Sequence, residues 1–581
     1  MKILFINPPQ EGFFHTMERH YPIGLLYLAE ACRQKEHEVA ILDCLTYKST
    51  PYVIPQSELS SIQKEKISHN PVFDTYVHFG TTWKDIESYI AITRPNIIAL
   101  SIMFSCFYDS AYALAANIKK KFPEIITIAG GAHISILYRH AMDNHYFDYC
   151  LRYEGEDTLP LLLDKLSIQE KPYDIPGIVF RDSLCSNNTT MQGIPIYCNE
   201  AVTWLRDLDE KFPAYDLTNY SQYDNTVTLI TSRGCPYGCS FCAVRFSMGQ
   251  IFRVRSVKSV VDEIEKYYSL GVRNFNIEDD NFSLNMERVE SIFQTLIQKN
   301  ICANFYLLNG IIAQNVTAKS MNIFAKAGVK KLFFGLETIS TQRLQEVQKK
   351  HTSLEIVKGA ICLAEQNHIQ AGVSLIMGFP HQSLEELLNE IATLMHYNIL
   401  ILAINPLYPV PETQMYRECI SEGILTGSED FITLGGDNFP IHNEQLSQID
   451  MYYLWVAIRA LCKWNSQNSH YLSFENIQVL DCLKLIACKI GDCTVESVGT
   501  KFKLHVPSYQ LRNQIYSAGH KILNDMIGAM IYIRTGHLIT CTCLEGKSNC
   551  VFSVQTQTDE AIPYAIYRLR LIILELQAAK E

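Results

Sequence analysis

Short apolar strands alternate with amphipathic helices twice along this chain, over residues 1 to about 170 and again from about 223 to 425. That alternation predicts parallel sheets covered by helices on both faces. In the first run, strands are expected at Lys2–Asn7, Glu38–Asp43, Asn96–Ser101, Ile125–Gly130 and Phe147–Arg152. The helices between them are expected at Pro22–Lys35, Trp83–Thr93, Ser110–Lys121, Ile134–Asp143 and Thr158–Lys165. The fold class expected for residues 1–170 is therefore α/β, a Rossmann- or flavodoxin-like doubly wound parallel sheet. A polar insertion, Thr46 to Thr82, reads as a solvated loop.

Ligands of such sheets sit beyond the carboxyl ends of the strands. Pro8, Pro9, Ser101, Met103, Gly130, Gly131, His133, Glu154, Gly155 and Glu156 should therefore gather along one crevice. Small residues there would let a bulky ligand approach the backbone. His133 could contact that ligand or simply begin a helix.

Residues 171–222 read as a connector with a hairpin, Gly177–Arg181 and Ile194–Cys198. The second run follows, with strands expected at Val227–Ser232, Arg273–Glu278, Ala303–Leu308, Lys331–Leu336, Gly372–Met377 and Leu400–Asn405. Six βα units over residues 223–425 predict a partial (β/α)6 barrel, with chemistry at the strands' carboxyl ends. Residues 426–581 are expected to form a mostly helical to α+β domain with a substrate or lid role, including helices at Leu446–Trp464, Phe474–Ala487 and Ala561–Lys580.

The 581 residues carry 61 acidic against 50 basic side chains, a formal charge of -11, so no global field favours nucleic acid or an anionic membrane. The longest apolar stretches fall far short of the roughly 20 residues of a membrane-spanning helix, and the amino terminus lacks a signal-type apolar run. A cytoplasmic protein is expected, with no nucleic acid and no membrane as partner. An odd number of cysteines, 19, points to reduced thiols and metal ligation rather than a disulfide framework.

Three of those cysteines carry the chemistry. Directly after a strand, the chain reads Thr231-Ser232-Arg233-Gly234-Cys235-Pro236-Tyr237-Gly238-Cys239-Ser240-Phe241-Cys242. Cysteines spaced C-x3-C-x2-C can hold three corners of a cubane 4Fe-4S cluster and leave the fourth iron for a non-protein ligand. A structural zinc site short of one ligand, or three ordinary buried cysteines, is the competing reading. Asp279 and Asp280, at a strand-to-helix junction, invite a helix N-cap role for one of the two. The later cysteines Cys462, Cys482, Cys488, Cys493, Cys541, Cys543 and Cys550 allow a second metal site, with a core role as the alternative.

The cysteine loop resembles that of the radical S-adenosylmethionine superfamily. Asn7-Pro8-Pro9, Tyr21-Pro22-Ile23-Gly24-Leu25, Gly130-Gly131-Ala132-His133 and Tyr153-Glu154-Gly155-Glu156 resemble the cobalamin-binding domain that precedes the barrel in its cobalamin-dependent class. The resemblance implies that Cys235, Cys239 and Cys242 ligate the cluster, with Phe241 beside the adenine of S-adenosylmethionine. It further implies S-adenosylmethionine contacts from Glu278, Gly335, Glu337, Gly378 and Pro380. Pro409-Val410-Pro411-Glu412-Thr413 also matches, with Glu412 standing where many members have glycine. Neither His15 nor His20 stands in a D-x-H-x-x-G pattern, so cobalamin is expected without a protein histidine on cobalt.

The implied activity is methylation of an unactivated carbon, or phosphorus, of a small metabolite or natural-product intermediate through a 5'-deoxyadenosyl radical and methylcobalamin. A flavodoxin- or ferredoxin-type reductant and a small-molecule substrate are the implied partners. Alternatives are a non-methylating member of the class, performing cyclisation, ring contraction or rearrangement, and a cobalamin-binding sensor with a vestigial barrel. Substrate and oligomeric state are not readable from the sequence.

Overall fold

The structure is a computed structural model. It describes residues 1–12, 21–45, 52–60, 63–64, 67–68, 76–185, 188–349, 352–397, 399–425, 440–443, 445–446, 451, 455, 494–498, 501–505, 537–543 and 549–556. The chain divides into two compact units: Met1–Asn309 with Lys326–Val329 and Tyr408–Pro440, and Gly310–Ala325 with Lys330–Leu407 and Ile441–Glu581.

In the first unit the chain opens with β1 (Lys2–Asn7), β2 (Gln10–Gly12), α1 (Ile23–Arg33), β3 (Glu38–Asp43), β4 (Tyr52–Val53), β5 (Val77–Phe79), α2 (Trp83–Thr93) and β6 (Ile97–Ser101). It continues with α3 (Tyr108–Lys121), β7 (Ile126–Gly130), α4 (Ala132–Ala141), β8 (Tyr149–Leu151), α5 (Thr158–Ser167), β9 (Ile178–Arg181) and β10 (Ile196–Cys198). The seven-stranded sheet has the order β10-β9-β8-β7-β6-β1-β3. Its parallel part, β3-β1-β6-β7-β8, is the flavodoxin-like order, whose strand order reverses between β1 and β6. Ile3, Phe5, Ile97 and Ile128 bury one face of this sheet against α1 and α5 residues, while Leu4, Ile6, Ile98 and Leu100 bury the other.

Two features depart from expectation. The hairpin expected in the connector belongs to this sheet: β9 pairs antiparallel with β8, Ile178 opposite Leu151 and Val179 opposite Cys150. Ile178 and Val179 are fully buried, and Gly177 at φ +71° makes the turn into the strand. The Thr46–Thr82 insertion is not wholly solvated loop, because β4 and β5 join β2 in a small antiparallel sheet with Val77 and Phe79 buried. Within it His78 Nδ1 lies 2.7 Å from Glu11 Oε1, both side chains buried, and Gln63 Nε2 donates to the other Glu11 oxygen.

Beyond the connector come β11 (Thr226–Leu229), β12 (Ser232–Arg233), β13 (Arg253–Val254), α6 (Val257–Ser269), β14 (Asn274–Ile277), α7 (Met286–Gln298) and β15 (Asn304–Ile311). There follow α8 (Ala318–Ala327), β16 (Val329–Glu337), α9 (Thr341–Glu346), α10 (Leu354–Gln366), β17 (Gln370–Met377), α11 (Leu384–His396), β18 (Ile401–Pro406) and α12 (Gln414–Ser421). Six strands in chain order, β11-β14-β15-β16-β17-β18, make the second sheet, as the half-barrel expectation required. In the first unit β11, β14 and β15 are parallel neighbours, and in the second β16, β17 and β18 are.

Past residue 440, β19 (Thr494–Val498), β20 (Lys501–His505), β21 (His537–Cys543) and β22 (Asn549–Thr556) form an antiparallel sheet in the order β19-β20-β22-β21. Cys543 and Cys550 are register partners in it. Cys462, Cys482, Cys488, Cys493 and the helices expected at Phe474–Ala487 and Ala561–Lys580 lie outside the described residues. Of the helix expected at Leu446–Trp464, Leu446, Met451 and Trp455 are described and buried, with Trp455 Nε1 donating to the Ile404 carbonyl at 3.1 Å. Among the described residues no helix is long and apolar enough to cross a membrane.

Candidate active site

The cysteine loop hangs between two paired strands, β12 and β13, where Arg233 stands opposite Arg253. Gly234 leaves β12 at φ +80°, and a Cβ there would come within 2.4 Å of the Ile251 carbonyl oxygen. No L side chain fits that turn. Gly249, at φ +82°, packs so close to Trp204 that a Cβ would lie 2.8 Å from its ring. The Cys235 amide donates to the Gly249 carbonyl at 3.2 Å, and the Cys242 amide to the Cys239 carbonyl at 3.0 Å.

Cys235, Cys239 and Cys242 are half-buried, and none is in a disulfide. Burial pushes the Cys242 thiol up to about 11, and the neighbouring Cys239 and Cys235 sulfurs raise it too, which places all three within electrostatic reach of one another. Among the described residues no three cysteine, histidine, aspartate or glutamate side chains converge on a point suited to a single ion. Three cysteines at the C-x3-C-x2-C spacing can occupy three corners of a cubane, so the donor set fits a 4Fe-4S cluster.

Acidic residues after β14 fasten this loop. Asp279, buried, accepts from the Thr231 amide and hydroxyl at 2.5 Å each and from Ser232 Oγ at 2.6 Å. Asp280 accepts from the Gly234 amide at 2.8 Å; burial pushes its carboxyl up to about 6 against the opposing pull of that hydrogen bond. Helix capping, expected for one of the two, falls instead to Asn285, whose side chain accepts from the Arg288 amide at the start of α7. The aspartates cap the strand-to-loop turn across from them. Glu278 is half-buried and accepts from Asn276 Nδ2 at 3.3 Å. Met415, in α12, donates its amide to the carbonyl of Ser240, next to Phe241, at 3.0 Å.

The carboxyl edge of the first sheet reaches the same loop. Glu154 Oε1 is 2.9 Å from Arg233 and Oε2 is 2.6 Å from Arg253, while Oε2 also accepts from the Leu205 amide at 2.6 Å. Glu156 Oε1 is 2.7 Å from Arg233. All four charged side chains are buried, so the carboxylates that the resemblance turned toward cobalamin are engaged by the cysteine hairpin. Arg253 also donates to the Leu205 and Met248 carbonyls and lies over the Trp204 ring. Arg233 and Arg253 escaped the sequence reading, although Arg233 adjoins the first loop glycine and so could have signalled a charge held near the cysteines.

The other residues expected at the first sheet's edge stand at the carboxyl ends of β1, β6, β7 and β8. Pro8 and Pro9 follow β1, Ser101 ends β6 and Ile102 and Met103 follow it, with Met103 43% exposed. Gly131, at φ +106°, lets α4 begin against the Ile102 carbonyl, where a Cβ would clash at 2.6 Å. A Cβ at Gly155 would meet Leu28 at 2.9 Å, whereas one at Gly130 would find its nearest neighbour at 3.8 Å. His133 is fully enclosed: Nε2 is 3.2 Å from Tyr112 Oη, Nδ1 is 3.0 Å from Ser105 Oγ, and the ring stacks on Tyr108. Burial, then His140, pulls it down to about 3, so it stays neutral. His15 and His20 lie outside the described residues.

In the second unit, Glu337 ends β16 at φ +69° with Oε1 2.5 Å from Lys349 Nζ. Gly335 adjoins both, a Cβ there falling 3.0 Å from each of those atoms. Gly378, at φ +79°, and Phe379 donate their amides to Gln382 Oε1 at 2.8 and 3.3 Å, and the Pro380 carbonyl accepts from Arg343. Asn443 Nδ2 clamps the same turn from the Gln382 carbonyl at 2.7 Å. Lys349, Gln382 and Asn443 carried no sequence signal, since each acts through a partner distant in the chain or through backbone.

Comparison with known proteins now bears on this arrangement. Residues 72–163 match the B12 binding domain and residues 229–394 the Radical SAM superfamily. The chain is a cobalamin-dependent radical S-adenosylmethionine enzyme. Its cofactors are a 4Fe-4S cluster, S-adenosylmethionine and cobalamin. The chain is 26% identical over 435 residues to an uncharacterized methyltransferase, PH0819, of Pyrococcus horikoshii, covering 73% of this chain and 84% of that one. It is 25% identical over 464 residues to the cytidylyl-2-hydroxyethylphosphonate methyltransferase of Streptomyces wedmorensis, covering 74% and 83%. With the anaerobic magnesium-protoporphyrin IX monomethyl ester cyclase of Synechocystis sp. it shares 23% identity over 410 residues, covering 68% and 73%. The cobalamin-dependent S-adenosylmethionine radical enzyme OxsB, in its aqua-cobalamin-bound structure, shares the fold at a TM-score of 0.60 and 15% identity, over all of this chain and 80% of OxsB.

Proposed function

We propose that this radical S-adenosylmethionine enzyme is a methyltransferase acting on an unactivated carbon, or phosphorus, of a small metabolite or natural-product intermediate. Similarity to two methyltransferases, each matched over more than four-fifths of its length, carries the reading. The buried pairing of Glu154 with Arg233 and Arg253 supports it, because it ties the cysteine hairpin to the edge of the sheet where cobalamin is expected.

In this reading residues 1–170 hold cobalamin, 171–222 connect, 223–425 bind the cluster and S-adenosylmethionine, and 426–581 shape the substrate site. Cys235, Cys239 and Cys242 would hold the cluster, with Phe241 beside the adenine. Glu278, Gly335, Glu337, Gly378 and Pro380 would serve S-adenosylmethionine, and Pro8, Pro9, Ser101, Met103, Gly130, Gly131 and Gly155 would face cobalamin. When bound, the cofactors supply an electron, a 5'-deoxyadenosyl radical and a methyl group. This chain's part is placement. Asp279 and Asp280 fix the loop carrying the thiols, Gln382 fixes the turn at Gly378, and Gly131 brings backbone close to the first sheet's crevice. A flavodoxin- or ferredoxin-type protein would deliver the electron.

The test needs no substrate. The chain is reconstituted without oxygen, given cobalamin, a strong reductant and methyl-labelled S-adenosylmethionine, and analysed for label recovered with the corrin and for 5'-deoxyadenosine. Both together support methyl transfer. Formation of 5'-deoxyadenosine with cobalamin bound but never labelled would favour the second reading, a radical cyclisation or rearrangement, for which the similarity to the Synechocystis cyclase speaks.

A further inference from the structure

Where β14 ends, the chain reads Glu278-Asp279-Asp280-Asn281, three acids followed by one neutral amide. Asp279 and Asp280 turn toward backbone amides and hydroxyls at the root of the cysteine loop. Asn281 does something different. Its Nδ2 lies 3.5 Å from Cys235 Sγ, within range of a hydrogen bond to sulfur, and the residue is only 6% exposed. The segment is held from two sides: Leu284 donates its amide to the Asn281 carbonyl, and Asn309 Nδ2 donates to the Glu278 and Asp279 carbonyls. A carboxamide nitrogen can only donate, so the sulfur is the acceptor.

We propose that Asn281 raises the reduction potential of the 4Fe-4S cluster by donating an N–H to the sulfur of Cys235. This rests on Cys235 being a cluster ligand. Reduction brings one electron from the flavodoxin- or ferredoxin-type donor onto the cluster, and part of the added charge falls on the ligand sulfurs. A donor aimed at such a sulfur stabilises the reduced form more than the oxidised one, and the burial of Asn281 keeps water from taking the donor's place. A carboxylate at position 281 would do the opposite. The chain therefore places Asp279 and Asp280 on the root of the loop and its neutral amide on the sulfur.

The test is an EPR-monitored potentiometric titration of the full-length protein, reconstituted with cluster and cobalamin, in wild type and in Asn281→Leu, Asn281→Ala and Asn281→Asp. Iron and sulfide per chain are measured alongside. In Asn281→Leu the one-electron reduction constant should fall by roughly tenfold, a downward shift of about 59 mV, at unchanged iron content. Asn281→Asp should shift further down. Any variant that assembles the cluster and titrates at or above the wild-type potential overturns the proposal, as does loss of the cluster in all three, since a tuning residue is dispensable for assembly. Absence of a cluster in the wild-type protein would instead sink the assignment of Cys235 as a ligand.

Discussion

Glu154 lies 2.9 Å from Arg233, the residue that precedes the first glycine of the cysteine loop, and neither side chain is more than a tenth exposed. A buried carboxylate at the end of a parallel sheet thus neutralises cations on the antiparallel pair that carries the cysteine loop. Glu156 also pairs with Arg233, so removing Glu154 leaves Arg253 as the more exposed loss. Glu154→Gln should cost about 3 kcal/mol of unfolding free energy, the scale of breaking a buried ion pair from one side. Urea titration measures it. A midpoint equal to wild type would show the pair to be energetically idle.

Cys239→Ala removes one proposed cluster ligand from a half-buried loop position. Iron and sulfide content and 5'-deoxyadenosine formation should be lost, while unfolding changes by at most about 1 kcal/mol and cobalamin binding persists. Retention of a full complement of iron would remove Cys239 from the ligand set.

Glu390, on α11, is buried with Thr338 Oγ1 donating to Oε1, and burial pushes its carboxyl up to about 7. Because the folded value lies above the unfolded one of 4.5, its contribution to stability is fully present below about 4.5 and is lost as pH rises through about 7. Oε2 makes no hydrogen bond among the described residues, and burial outweighs the stabilising pull of Thr338 and Arg343 on the charged form. Glu390→Gln should therefore lessen the fall in urea midpoint between pH 5.5 and 8.5. An identical fall in the variant would show that Glu390 titrates at an ordinary value.

Glu412 sits at φ +70°, in the left-handed region, one residue before the Thr413 cap of α12. That conformation is the reason glycine suits the position. Its side chain is exposed, so Glu412→Gly removes strain without removing a buried contact. Stability should rise by about 0.5–1 kcal/mol, read as a higher melting temperature. A lower melting temperature would mean that the unfolded chain gains more from the glycine than the fold does.

The sheets and the cysteine loop were legible because their signals are local. Strand periodicity fixed β1, β3, β6 and β7 to within a residue, and the spacing of Cys235, Cys239 and Cys242 named the cluster chemistry. What escaped was long-range pairing. β2 is three residues long and meets β5 some sixty-five residues later, too short a run to show a period of two. Glu154 and Glu156 read as ligand-facing acids because a motif states which residue stands at a strand end, not which arginine eighty positions on will meet it. Asp279 and Asp280 looked like caps of the next helix for the same reason, and they cap a loop earlier in the chain instead.

The hairpin added to the first sheet changes how that sheet meets other chains. Without β9 and β10, the parallel array would end at β8, leaving the backbone of Tyr149–Leu151 open as a template for a foreign strand. With them, the outermost strand on that side is Ile196–Cys198, three residues long and offering few unpaired groups. A fragment cut at residue 170 would lose that guard and aggregate through β8, whereas one cut after Cys198 would keep it.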